Sequence, residues 1–492
     1  MDSAAAPVSA PGPDTDTAIA PAEGRAWTST LRAPRLDPYW VAGALFLLYT
    51  ALSVTRHRRM LTMSWDIGIF EQAIRTYAHF QAPVADLKGP GANILGDHFS
   101  PITALVAPFY RLFPSPVTLL VVQAALFALS AVPVVRLAAG KLGRTRGLAI
   151  GIAYGFSWGI QRAVDFDFHE IAFAMPLLAF SLEAVVRRRW RTALWWALPL
   201  VLVKEDLGVT VAAIGAAILL LERRDRRHGP DGIPRDTTAT TVGGILVVFG
   251  LAASALALGV AIPSFNNTGS YGYWNKIDGG STATIPPLTA ARTLLWILLP
   301  TTGLLALRSP VAIVALPTLA WRFVSHDDHY WGTDWHYNAV LMPIVLIALT
   351  DALATAHRSP RAWLRRYARQ LPAAVAGAAL ALSASLPLYT LTEPATYEIP
   401  ASVKATERLL ARIPDGATVE ASDVAAISRL TGRCRVFWFG DTQGITPSYI
   451  TERVDDGRPV KDLVADAARR HPGARYDLLG VEGTTVVLKR AA

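Results

Sequence analysis

The sequence predicts a polytopic α-helical membrane protein that ends in a small extracytoplasmic α/β domain. Of its 492 residues, 52% are hydrophobic and only 17% charged, where a soluble chain carries about 25% charged residues. The mean hydropathy is +0.32. The apolar residues gather in runs near the roughly 20 residues that a helix needs to cross a hydrocarbon core about 30 Å thick. Past Leu391 the composition changes to that of an ordinary globular sequence.

Residues 1–37 are rich in Ala, Pro, Ser and Thr without an apolar core, and read as a disordered cytoplasmic tail. No cleavable signal peptide is visible, so the first apolar run, from Tyr39, reads as an uncleaved signal anchor. Runs follow near 39–55, 116–137, 146–161, 170–186, 192–203, 207–221, 240–263, 292–307, 309–324, 338–356 and 372–390. They make about eleven candidate spans in a transmembrane region of residues 38–390. The pair 192–203 and 207–221 is short for spanning, which points to tilted helices or a broken, re-entrant pair around Lys204-Glu205-Asp206.

Orientation follows from the basic loops. RLAAGKLGRTR (136–146), RRRWR (187–191), ERRDRRHGPDGIPR (222–235) and HRSPRAWLRRYAR (357–369) are separated by even numbers of crossings, so all four fit on the inner side. The N-terminus is then cytoplasmic, the C-terminal domain lies outside, and the chain is a multi-pass plasma-membrane protein. The net charge of +9 is accounted for by topology and implies no nucleic-acid partner. RHRR (56–59) departs from the rule by falling outside, through a local override or a contact with lipid phosphate. The single cysteine, Cys434, excludes an intramolecular disulfide and a cysteine metal cage. No phosphate-binding glycine loop, dinucleotide fingerprint or nucleophile elbow is present.

In residues 395–492 the periodicity predicts helix SVKATERLLARI, strand ATVEAS, helix VAAISRLT, strand RVFWF and helix VKDLVADAARR. Strands YDLLGV and TTVVLKR follow around a turn at Glu482-Gly483. Strands alternating with helices indicate an α/β domain.

Under this threading the chemistry-bearing residues face one side. The long first external loop, 56–115, carries Asp66 and Glu71 in SWDIGIFEQAI, and Asp97 and His98 in GDHFSP. Its stripe Ile67, Phe70, Ile74 and Tyr77 predicts an amphipathic helix lying in the membrane interface. Asp66 at its start serves equally as a helix cap or as a functional acid. SPITALVAPFYRLF reads as a second interfacial helix. Other external stretches hold Asp165, Asp167, His169 and Glu170 in DFDFHE, then Lys204, Glu205 and Asp206, and the aromatic YGYWNK (271–276). In an extended segment Asp165, Asp167 and His169 would point one way and the intervening phenylalanines into the membrane surface. The last external stretch, SHDDHYWGTDWHYN (325–338), contains His326, His329, Asp334, Trp335, His336 and Tyr337. Arg322 just before it can contact an anionic headgroup or snorkel to the interface. Clustering of carboxylates, histidines and aromatics on one face is what an active site at a membrane surface needs. His326 and His329, three apart, can share a helix face as zinc ligands with Asp334 and His336 nearby. An all-oxygen magnesium or manganese site from Asp66, Asp97 or Asp165 is the alternative.

WDIGIFEQAI after the first span, GDHFSP, DFHE, KED and DWHYN occur in this order in a bacterial (actinobacterial) family of predicted membrane proteins of unknown function. The chain resembles that family over most of residues 39–390. The family is distantly similar to GT-C membrane glycosyltransferases. That resemblance implies a polyprenyl-phosphate sugar donor, a glycan or lipid acceptor of the cell envelope, and Asp66 as the first-loop acid, with Glu71 on the same helix. Asp66 is followed by Ile67 where some GT-C subfamilies have an Asp-Glu pair, which leaves donor type and metal dependence open. In such a transfer a carboxylate takes the acceptor proton, and Lys204, Arg322 or a divalent metal meets the charge of the leaving phosphate. Trp331, Trp335 and Tyr273 supply stacking faces for sugar rings.

Two other classes stay open. A transporter or lipid flippase predicts ionisable residues at the bilayer midplane and internal repeats, and no repeat is evident. A non-catalytic envelope-lipid binding or assembly factor predicts that Asp66→Asn leaves function intact.

Overall fold

The apolar runs fold as a helical body in the computed structural model, which describes residues 34–228, 235–267, 269–274, 284–454 and 458–491. Most of the expected tail thus lies outside the described residues. The helices are α1 (Asp37–Arg58), α2 (Trp65–Ala78), α3 (Ala107–Leu112), α4 (Pro116–Leu142), α5 (Arg144–Gly155), α6 (Trp158–Phe166), α7 (Ala174–Val186), α8 (Trp190–Ala197) and α9 (Leu207–His228). There follow α10 (Thr237–Leu256), α11 (Pro287–Thr302), α12 (Leu316–Val324), α13 (Leu341–Ala356) and α14 (Ala362–Ser383). Among the described residues four helical stretches are long and apolar enough to cross a membrane: Pro34–Arg58, Pro116–Leu142, Thr237–Phe265 and His336–Ala356.

Several apolar runs are not single helices. The run at 146–161 breaks between α5 and α6, where Tyr49 of α1 donates a 2.6 Å hydrogen bond to the Gly155 carbonyl. The run at 192–203 is α8 followed by a 3₁₀ turn, Leu198–Leu202, and the run at 309–324 begins as 3₁₀ turns over Pro310–Ala315 before α12. Hydropathy reads such interrupted segments as continuous because burial, not helix type, sets the composition. By contrast α9 and α10 pair closely through small residues: a Cβ at Gly250 would lie 2.2 Å from the Gly208 carbonyl oxygen. Only glycines let the two backbones approach this far.

The four basic loops that hydropathy placed on one side do meet. Lys141, Arg146, Arg187, Arg188, Arg224 and Arg358 line one cavity of about 570 Å³, with Arg224 held 3.0 Å from Asp351. The other end of α4 carries different chemistry. There Gln123, roughly 30 Å of helix rise away, donates to the Asp167 carbonyl at 2.6 Å.

The C-terminal residues form α15 (Ala401–Leu410), α16 (Val424–Leu430), α17 (Val460–Arg470) and strands β1 (Thr418–Ala421), β2 (Arg435–Trp438), β3 (Tyr449–Arg453), β4 (Tyr476–Glu482) and β5 (Thr485–Arg490). The sheet order is β2-β1-β3-β5-β4. The β1–β2 and β1–β3 pairs are parallel, and β5 is antiparallel to β3 and β4. The sequence reading has no element at β3, although it is the central strand. Its five residues acquire strand character from neighbours on both sides.

Helix α2 does not lie free in the interface. Ile67, Phe70 and Ile74 enter the core of the helical body, while Ile69 and Ala73 on the other face share a core with Val419, Ile427 and Val436 of the sheet-bearing part. Gly68 permits that contact, because a Cβ there would come within 2.5 Å of Ile427 Cγ2. The out-of-rule RHRR segment belongs to the same junction. Arg56 pairs with Asp165 at 2.7 Å, and Arg429 donates to the His57 carbonyl at 2.7 Å.

Candidate functional site

A cavity of about 560 Å³ opens where α2, the segment after α6, the Lys204-Glu205-Asp206 turn and the loop before α13 converge. Of the residues singled out in the sequence, Asp66, His98, His169, Lys204, Glu205, Asp206, Tyr273, His329, Trp335, His336 and Tyr337 line it. Nine further residues that sequence reasoning did not assign to a site also line it, Trp65, Phe166, Tyr271, Trp321 and Tyr330 among them. Their signal was the aromatic density of YGYW and DDHYW. It could not separate lining rings from packed ones.

Asp66 sits in the first turn of α2, one position past its first residue, and Ser64 occupies the capping position. Its carboxylate makes no hydrogen bond among the described residues and faces the cavity, so the capping alternative is not realised. Burial lifts its pKa above the usual aspartate value, with His169 pulling it back and Glu170 adding to the rise. The start of α2 is fixed from behind by Asp167, which is 1% exposed. Asp167 accepts from the Ile67 and Phe168 amides at 3.3 and 3.0 Å. It is a positioning group, and burial beside Asp66 holds its carboxyl well above the usual range.

The DFDFHE segment does not present one uniform face. Asp165 turns to Arg56, Phe166 lies against the Trp335 and His336 rings at 5.4 and 4.9 Å, and Phe168 is fully buried against Phe70. His169 is held in the cavity wall through its amide, which donates to Gln123 Oε1 at 2.9 Å. Behind it, Glu170 is fully buried, with Oε2 at 2.6 Å from His169 Nδ1 and Oε1 at 3.2 Å from Lys204 Nζ.

Lys204 therefore stands among carboxylates. Burial alone would lower its pKa, but Glu170, Glu205 and Asp206 hold it well above the usual lysine range, a lasting cation in the wall. Glu205 accepts from His98 Nδ1 at 3.0 Å, the Phe99 amide at 3.1 Å and Tyr271 Oη at 2.8 Å. Burial opposes its charge, yet His98 and Lys204 bring its pKa down to about 2. His98 in turn is raised: burial and Lys204 oppose protonation, and Glu205 and Asp97 outweigh them. Asp206 differs from its neighbour. Burial lifts it to about 6 against the pull of Lys204. The wall thus carries the Lys204 cation beside carboxyls of unequal proton affinity, Glu205 and Asp206.

Several expected site residues lie elsewhere. Asp97 pairs with Lys88 at 3.1 Å and Asp334 is exposed off the cavity, so Asp66, Asp97 and Asp165 form no common oxygen site. His326 does not join His329, whose Nδ1 instead contacts Asp327 and Asp328 at 2.9 and 3.2 Å. Trp331 is buried, its indole donating to the Ser325 carbonyl at 2.7 Å. Arg322 neither snorkels nor meets a headgroup. It is fully buried and donates to the Tyr330 and Gly332 carbonyls and to Asn338 Oδ1 at 2.8, 2.7 and 2.9 Å. It shapes the loop that presents Trp335, His336 and Tyr337.

Glu71 does not reach the cavity either. It is fully buried between α3 and the sheet-bearing part, accepting from Tyr110 Oη at 2.9 Å and from Thr431 Oγ1. Burial raises its carboxyl from 4.5 to about 7, although both hydrogen bonds pull the other way. A folded-state pKa above the unfolded one means stability that is complete below about pH 4.5 and lost as pH rises through about 7. The rise corresponds to roughly 3 kcal/mol. The thermal unfolding midpoint is therefore expected to fall across this window, and Glu71→Gln to flatten the fall. An identical pH profile in the variant would remove Glu71 as the cause.

A fold of this kind is known. The chain matches the crystal structure of ArnT from Cupriavidus metallidurans bound to undecaprenyl phosphate, with a TM-score of 0.57 and 14% identity over 93% of this chain and 99% of that chain. An apo structure of the same ArnT gives a TM-score of 0.45 and 13% identity over 91% of this chain and 98% of that chain. The likeness to the first is one of fold, the GT-C glycosyltransferase fold. No curated protein matches the chain. The family model for predicted membrane proteins (DUF2079) matches residues 56–433, from the end of α1 through α2, both cavity walls and the helix that docks on α2. The chain belongs to this family of predicted membrane proteins.

Proposed function

We propose that the chain is a GT-C-like, inverting membrane glycosyltransferase. In this reading it moves a sugar from a polyprenyl-phosphate-linked donor to a glycan or lipid acceptor of the cell envelope. The outer face of the plasma membrane, about eleven spans, a cytoplasmic N-terminus and an extracytoplasmic sheet-bearing part belong to the same reading. One observation carries it: within a GT-C-like fold, Asp66, a carboxylate unpaired among the described residues, shares a cavity with Lys204, His98 and aromatic rings.

The chemistry divides among these groups. As the acceptor oxygen bonds to the anomeric carbon, its proton passes to a carboxylate, the part assigned to Asp66. The bond from that carbon to the lipid phosphate breaks, and the departing negative charge is met by Lys204 and His98. Trp335 and Tyr273 offer faces to the sugar rings. Leu258 of the apolar stretch Thr237–Phe265 lines the cavity, which suits a substrate whose tail stays in lipid.

Native mass spectrometry of the chain in lipid nanodiscs, wild type beside Asp66→Asn, tests this. A polyprenyl-phosphate sugar retained by the variant and depleted in the wild type is the expected result. Bulk phospholipid alone in both would overturn the donor class.

A further inference from the structure

Three side chains in the cavity wall come from segments far apart in sequence yet converge on one point. One oxygen of Asp66, one ring nitrogen of His169 and one of His336 all lie within 4.8 Å of one another. We propose that these three residues bind a divalent transition-metal ion of the zinc class, with one coordination position open to the cavity. The proposal stands on geometry and does not require the transferase reading.

His336 makes the strongest case. It is 4% exposed, and neither ring nitrogen has a hydrogen-bond partner among the described residues. A buried imidazole without partners carries a desolvation cost, and a ligand bond would lift it at one of the two nitrogens. His169, 7% exposed, stacks on it with ring centroids 3.8 Å apart. Glu170 stands 2.6 Å from His169 Nδ1. A carboxylate at one ring nitrogen leaves the other with the lone pair that a metal needs, the usual outer-shell arrangement of histidine ligands. Lys204, 3.2 Å from Glu170 on its other side, balances that carboxylate.

Each ligand is also held before any ion arrives. Asp167 fixes the start of α2, Gln123 fixes the His169 backbone, and the loop bearing His336 is tied down by Arg322. Three protein ligands and an open position match a reactive zinc-type centre rather than a closed structural one. Two imidazoles favour zinc, copper, iron or nickel over magnesium and manganese, which prefer oxygen. Asp66 has two carboxylate oxygens, so one can hold the ion while the other faces an incoming hydroxyl. Where a phosphate enters the cavity, the open position and Lys204 would face it together.

The test reads the ion itself. The full chain, purified with a tag free of histidine and placed in nanodiscs, is dialysed against zinc with magnesium in excess and its metal measured by plasma mass spectrometry. Cobalt substitution followed by absorption spectroscopy reports nitrogen ligation. About one zinc per chain is expected, as for a three-ligand site, with its loss in His169→Ala and in His336→Ala. Glu170→Gln is expected to weaken binding roughly 10–100-fold. His336→Gln, which keeps size and polarity, is compared by size exclusion so that loss of the ion is separated from loss of fold. Substoichiometric zinc in the wild type overturns the proposal. So does loss of the ion in His329→Ala but not in His336→Ala, which would place it on the exposed Asp327–Asp328–His329 group. Because the readout is metal content, an ion site without sugar transfer and sugar transfer without an ion remain separate results.

Discussion

Asp66→Asn is expected to lower turnover by roughly 10²–10⁴-fold, the range for loss of a positioned general base, with little change in melting temperature. The substitution preserves size, and no hydrogen bond to the carboxylate exists among the described residues for the amide to disturb. Transfer of radiolabelled sugar from a polyprenyl-phosphate donor to envelope extract, at saturating donor, is the measurement. Asp206→Asn belongs beside it, because Asp206 lines the same cavity with a carboxyl lifted to about 6. A large loss in Asp206→Asn with near-normal Asp66→Asn would move the proton-accepting role to Asp206. Full turnover in both would remove both residues as the proton acceptor, whereas no turnover in the wild type would remove the transferase assignment and favour a lipid-binding or assembly role.

The second large effect concerns Arg322. Its guanidinium is fully buried, no carboxylate among the described residues pairs with it, and three oxygens of the loop 330–338 receive its protons. Each such charge-assisted bond contributes about 1.5–3 kcal/mol net. Arg322→Ala should therefore cost at least about 3 kcal/mol, and more where the orphaned carbonyls stay dry. Arg322→Lys should fail nearly as badly, since a single ammonium cannot span acceptors placed for a planar fork. The expected signs are a lowered thermal midpoint in detergent and new proteolytic cleavage between residues 325 and 338. Protection and midpoint equal to wild type in Arg322→Ala would show that the loop is held by other contacts, such as the 2.7 Å hydrogen bond from Thr293 to the Trp331 carbonyl.

These two residues show how far a sequence reaches here. Composition and run length determine that the chain belongs in a membrane, because apolar length against hydrocarbon thickness is a one-dimensional property. Loop charge grouped the four basic segments that do meet around one cavity, since each is local and adds to a common end. Asp66, His98, Lys204, Asp206 and His336 were legible as candidates because ionisable side chains are conspicuous in so apolar a chain.

Only the tertiary structure decided which of them act together. Glu71 lies one helical turn and a residue beyond Asp66, yet it faces Thr431 rather than the cavity, because α2 is packed on both sides by surfaces hundreds of residues apart. Arg322 and Trp331 carry the same local signal as Trp335 and His336, but a loop's hydrogen bonds turn the first two inward. The pairing of His169 with His336 joins segments 167 positions apart. No periodicity encodes that approach, because it depends on how helices pack and where their carbonyls fall. The sequence alone determined the chemical inventory and the membrane class, and three-dimensional packing chose which members of the inventory share a site.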